Sequence, residues 1–185
     1  MFIPTEQTPN PSSIKFFPSN QISPDQPIHF SKKEDAAGVS SLALKLLDIE
    51  DVYSVFFGSD FITITKTESA NWLTVKPEVL MIMMDHFVSG FLALDGIVKN
   101  HDVDYNSRSD IEMQIIELID TRIRPSVAMD GGDIVYRGFK EGVVQLELRG
   151  ACSNCPSSSI TLKNGIESLL KLYIAEVKSV EEVYN

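Results

Sequence analysis

At 185 residues the chain has room for one medium domain or two small ones, and its 43% hydrophobic content is ordinary for a globular fold. A net charge of −10, with both halves acidic and no Lys/Arg run longer than Lys32-Lys33, excludes the electrostatic footprint of a nucleic-acid or anionic-membrane binder. The most apolar stretch, VLMIMMDHFVSGFLAL, is broken by Asp85, His86 and Ser89, short of the roughly 18 to 20 apolar residues that a membrane span needs.

The opening residues, MFIPTEQTPNP, show neither a basic segment followed by an apolar one nor an Arg-rich amphipathic pattern, so a cytoplasmic location is expected. Met1 to Pro27 reads as extended chain, with Phe2-Ile3 and Phe16-Phe17 as edge strands between turns. Ala36, Val39, Leu42, Ala43, Leu46 and Leu47 recur at helical spacing and predict one helix within KKEDAAGVSSLALKLLDIEDV. VYSVFFGSDFITITK predicts two strands about Gly58-Ser59-Asp60, with Ile62 and Ile64 alternating against Thr63 and Thr65. A second helix is expected from about Pro77 to Phe91, with Met81, Met83 and Met84 as its packing surface.

From Asp95 to Arg108 the chain is polar and aperiodic, which reads as a linker between a domain at 1–94 and another at 109–185. Ser109 and Glu112 have the spacing of a capping box. Ile111, Ile115, Leu118, Ile119 and Ile123 then form an apolar stripe, and Pro125 is expected to end that helix. MDGGDIVYRGFKEGVVQLELRG predicts a hairpin about Lys140-Glu141-Gly142, with Val144, Leu146 and Leu148 on its covered face. Leu162, Ile166, Leu169 and Tyr173 share a face of the last helix, before a short closing strand near Val177 to Val183. The fold class is therefore α+β: two small α+β domains, the C-terminal one a helix-hairpin-helix sandwich with a CxxC loop at a helix N-terminus.

Chemistry concentrates in RGACSNCPSSS. Cys152 and Cys155 are the only two cysteines, which argues against a disulfide framework and towards metal or redox chemistry. Pro156 fits the first helical position, which would put Cys155 at the cap, where unpaired amides and the helix dipole favour thiolate. The pair Gly131-Gly132 reads as a turn that, with Gly150, lets backbone approach closely around the cysteines, since the other residues of a phosphate loop are missing. A thioredoxin-type site would need further strands and a later proline loop, and no proline follows Pro156. Zinc ordinarily takes four Cys or His ligands, and His29, His86 and His101 all lie in the first half without ligand spacing. An iron-sulfur cluster also wants four thiolates, which two protomers meeting on a two-fold axis would supply. Zinc binding and disulfide exchange stay open on residue chemistry alone.

MDGGDIVYRGF followed by GVVQLELRGACSNCPSSSITLKNGIE resembles the C-terminal domain of the NifU and Nfu iron-sulfur scaffold family, including its GxCxxCPSS core. TPNPSSIKF and KPEVLMIMMDHFVSG resemble the N-terminal domain of Nfu proteins. The resemblance implies a carrier, not an enzyme, in which Cys152 and Cys155 bind a labile iron-sulfur cluster, 4Fe-4S or alternatively 2Fe-2S. It further implies a homodimer bridged by the cluster, upstream cluster-assembly proteins as donors and apo iron-sulfur proteins as acceptors. The additional scaffold and ferredoxin-like domains of nitrogen-fixation NifU proteins have no counterpart in these residues, so a downstream carrier role is expected.

Overall fold

The structure is a computed structural model and describes residues 1–19, 22–23, 26–96, 108–153 and 158–184, the side chains of 158 and 159 excepted. Helices and strands form two compact units, Met1–Lys99 and Asn100–Asn185, in a two-domain α+β fold. Among the described residues no helix is long and apolar enough to cross a membrane.

In the first unit β1 (Thr5–Gln7), β2 (Ser13–Phe16), β3 (Ile28–Phe30), β4 (Val52–Phe57) and β5 (Ile62–Lys66) form one antiparallel sheet in the order β1-β2-β5-β4-β3. The strands about Gly58-Ser59-Asp60 pair as expected. The N-terminal segment departs from expectation: Phe16 belongs to β2, which is hydrogen-bonded on both sides, and of these first two strands β1 alone lies at an edge of the sheet. The cause is burial, because Ile14 and Phe16 pair with Ile64 and Ile62 and all four are almost wholly buried.

The single early helix is instead two, α1 (Lys33–Ala36) and α2 (Ser41–Leu47). Gly38 takes a φ of 75°, which an α-helix cannot contain, and Ser40 restarts the helix by accepting a hydrogen bond from the Ala43 amide. The Ser40 hydroxyl also donates to the Ala93 carbonyl, while the Asp95 carboxylate accepts from the Ser41 amide at 2.9 Å and the Gly96 amide donates to the Val39 carbonyl. Residues 93–96 are thus tied to the start of α2, although the sequence places 95 and 96 in a linker; of that linker, 97–107 lie outside the described residues.

The long helix α3 spans Trp72–Val88, five residues earlier than expected, because Asn71 caps it by accepting from the Leu73 amide. Pro77 therefore lies inside the helix, and the Leu73 carbonyl that loses its partner is on an exposed residue where water can replace it. Val75, Val79 and Met83 face the core with Leu42 and Leu46 of α2. Met81, expected to pack, is exposed, since the helix turns it away from the stripe that Met83 continues.

In the second unit α4 (Asp110–Leu118) begins with the expected capping box, Ser109 and Glu112 bonding reciprocally. Pro125 does not end the helical path. A π turn over Ile119–Ile123 slips the hydrogen-bond ladder by one residue, and α5 (Arg124–Met129) then begins with Pro125 in its first turn, where its missing N–H costs little. The strands β6 (Gly132–Lys140) and β7 (Val143–Gly150) form the hairpin, joined by Glu141 and Gly142 with φ of 54° and 90°. α6 (Ser158–Tyr173) follows, and β8 (Ser179–Glu182) pairs parallel with β7. The core joins Ile115, Ile119 and Ile123 to Ile134, Val144, Leu146 and Leu148. On α6 the buried seam is Ile166 and Leu170, continued by Ile174; Tyr173 lies outside it, half-exposed beneath the Arg122 guanidinium.

The other face of the hairpin is charged. A bulge makes Arg137 the extra residue of β6, and its guanidinium meets Glu147, which Arg149 also reaches at 2.7 Å. Burial pushes the Glu147 carboxyl up, but the two arginines outweigh it and hold it below its ordinary range. A depressed carboxylate contributes stability that is present above its unfolded pKa and is lost as pH falls through its folded one.

Two outcomes follow from these contacts. Ser40→Ala leaves the Ala43 amide and Ala93 carbonyl without their buried partner and should destabilise the first unit by about 1–3 kcal/mol. Faster hydrogen exchange at Ala43 checks this, and unchanged exchange would contradict it. Glu147→Gln should lower the urea midpoint at neutral pH and flatten its fall below the ordinary carboxylate range; midpoint curves that run parallel to the unsubstituted protein would refute the assignment.

Candidate functional site

The last rung of the hairpin pairs Gly132 with Gly150, so the ends of β6 and β7 are closest where neither carries a side chain. Gly131 precedes this rung with a φ of 85°, in the region where a Cβ is strained, and its amide donates to the Ala128 carbonyl at the end of α5. Gly150 also has a positive φ, 66°, and turns the chain out of β7. The Ala151 amide then donates to the Gly131 carbonyl at 3.1 Å, while the Ser153 amide and hydroxyl both reach the Gly150 carbonyl, at 3.2 and 2.8 Å. These bonds fold residues 151–153 back over the start of β6.

Cys152 lies in that turn and is 5% exposed, packed among the apolar residues of the second unit. Gly132 makes room for it: a Cβ there would stand 2.8 Å from the Cys152 sulfur and 2.5 Å from the Arg149 carbonyl oxygen. The sequence places Cys152 in a loop before the last helix, and the structure does so too, but turned inward against the first residue of β6. Cys155, the other expected ligand, lies outside the described residues, as does Pro156 and with it the expected cap. Among the described residues no three His, Cys, Asp or Glu side chains gather as a metal site.

Residue chemistry alone did not single out the ion pair beside this turn. Asp133 is buried, and its carboxylate accepts from Arg124 Nε at 3.0 Å; the same guanidinium donates to the Ile134 carbonyl at 2.9 Å and meets Asp120 at 2.7 Å. Burial pushes the Asp133 carboxyl up, and the Arg124 and Arg149 charges only partly offset that. The available signal was an acidic residue directly after the glycine pair, at the head of an alternating strand with no polar partner adjacent in sequence. Its arginine stands nine positions upstream, across the end of α5, beyond the reach of any local pattern.

Comparison with known proteins agrees with the motifs. The family model described as "Scaffold protein Nfu/NifU N terminal" matches residues 3–90, and that described as "NifU-like domain" matches residues 115–181. The whole chain aligns at 47% identity with the "NFU1 iron-sulfur cluster scaffold homolog, mitochondrial" of Drosophila ananassae and at 48% with that of Drosophila persimilis. It spans 65% and 66% of the lengths of those relatives. Of solved structures, a NifU-like protein from Saccharomyces cerevisiae is 27% identical over 51% of this chain and 85% of its own, with a TM-score of 0.47.

These names correct one expectation. The relatives are mitochondrial, which overturns the cytoplasmic location expected above. That expectation rested on finding no address pattern in these residues, and the composition of folded domains does not encode a compartment. With an Nfu-type N-terminal domain at 3–90 followed by a NifU-like domain at 115–181, the chain belongs to the Nfu/NifU-like family.

Proposed function

We propose that this chain is an iron-sulfur cluster scaffold and carrier, in which Cys152 and Cys155 of two protomers hold a labile cluster between them and release it to apo-proteins. The observation that carries this reading is the ligand count. One chain contains two cysteines, and no group of three His, Cys, Asp or Glu side chains gathers among the described residues, whereas a cluster takes four thiolates. A second copy related by a two-fold axis completes the set. The relatives' names, which describe iron-sulfur cluster scaffolds, support the same reading.

The cluster is cargo, 4Fe-4S in the main reading and 2Fe-2S as the alternative. On loading, each thiol loses its proton to solvent as its sulfur bonds to iron. On transfer, an acceptor's cysteine thiolate forms a new bond to iron as the bond to Cys152 or Cys155 breaks, and the departing thiolate takes up a proton. The exchange needs no change of iron oxidation state and no general base, so the chain acts as a carrier and not as an enzyme. A cluster held by only two sulfurs from each of two chains is easier to surrender than one enclosed in a single core.

Among its described residues the first unit gathers no group of metal-ligating side chains, and in this reading it serves to recognise upstream assembly proteins or acceptors. The setting is the compartment named for the relatives, the mitochondrion.

Reconstitution without oxygen tests the ligands. The intact chain should take up about two irons and two sulfides per chain, and Cys152→Ser or Cys155→Ser should reduce this to near none; zinc in place of iron, or uptake indifferent to both substitutions, would contradict the reading. Deleting residues 1–100 should leave iron uptake intact while slowing delivery to an apo-acceptor. A truncated chain that binds no iron would disprove this division between the units.

A further inference from the structure

A sulfur that is to share a cluster with a second protomer must leave the interior, yet Cys152 is buried and counts among the apolar core of its unit. The space that admits it exists because residue 132 is glycine. A Cβ at that position would stand 2.8 Å from the Cys152 sulfur, closer than side-chain atoms pack, and 3.1 Å from its Cβ, a contact tight enough that the neighbour would have to give.

The seat has two sides, the start of β6 and the cysteine turn. On the β6 side, Asp133 is fixed by Arg124, which also grips the Ile134 carbonyl, and Gly132 is paired with Gly150. On the cysteine side, the turn over residues 151–153 is held by the Ala151 amide to Gly131 and by two bonds from Ser153 to the Gly150 carbonyl. Those last two are local to the turn and would travel with it.

We infer that Gly132 is a positioning residue that seats the Cys152 sulfur against the start of β6, keeping it from solvent until the turn over 151–153 lifts away. This role deepens the reading of Cys152 as a cluster ligand and presupposes it. Access to one of the two proposed ligands is then set by a local opening of the turn, and a thiol awaiting cargo is sheltered from adventitious oxidants and metals.

Iodoacetamide reports the seat without any iron present, so its outcome is separate from that of cluster reconstitution. The full-length chain carrying Cys155→Ser retains one thiol, and alkylation at Cys152 is followed by mass. In the native protein it should proceed at least about tenfold more slowly than in the urea-unfolded chain. Equal rates would overturn the inference. Adding Gly132→Ala fills the seat and should raise the native rate about tenfold, towards the unfolded value. Gly142→Ala, strained at the opposite end of the same hairpin by a φ of 90°, should not raise it when compared at matched urea midpoints. If both variants accelerate alkylation equally at matched midpoints, Gly132 acts through stability alone and the inference fails. Should Gly132→Ala not fold, the native-to-unfolded comparison on the Cys155→Ser chain decides.

Discussion

The turn after β7 can close over β6 only because two backbones meet where no side chain intervenes. Gly132 and Gly150 face each other across the last rung of the hairpin, and the Cys152 sulfur occupies space that any larger residue at 132 would fill. The rest of the second unit serves this junction. The helical run from Ser109 to Met129 ends against Gly131, and Arg124 within it reaches across to pin Asp133. The apolar face of the hairpin packs on Ile115, Ile119 and Ile123 in the same core that takes in Cys152.

Asp133 and Glu147 show how differently two carboxylates can be held on one hairpin. Glu147 lies between two arginines that outweigh its burial, so its ionised form is favoured. For Asp133 burial dominates despite Arg124, and the carboxyl is raised. The sign of its contribution is therefore opposite: the stability linked to the raised carboxyl is present below its unfolded pKa and is lost as pH rises through the folded one. A paired but buried charge is a modest source of stability at best, and geometry is the better account of Arg124, which ties helix and strand together beside the cysteine turn.

Much of this architecture was legible in the chain itself. The capping box at Ser109, the alternation of Val144, Leu146 and Leu148, and the strands about Gly58-Ser59-Asp60 are local patterns, and local patterns survive folding. Proline misled twice, because a helix can begin earlier than its proline or pass it through a π turn, and neither is written in periodicity. Gly38 was hidden inside a helical spacing that tolerated one interruption. At the site, the cysteines and glycines were visible as residue types, but that Cys152 turns inward against Gly132 is a three-dimensional fact about two residues twenty positions apart. The Arg124–Asp133 pair was likewise out of reach, since it closes over the junction of a helix and a strand.

What the account stands or falls on is the sharing of one cluster between two copies. The native mass spectrum of the anaerobically reconstituted chain, taken beside a variant carrying both Cys152→Ser and Cys155→Ser, reads this directly. The account predicts a species of two chains plus a single four-iron, four-sulfide unit, or a two-iron, two-sulfide unit in the alternative reading, absent from the variant. A metal-free monomer, or a dimer carrying one zinc ion, would contradict it.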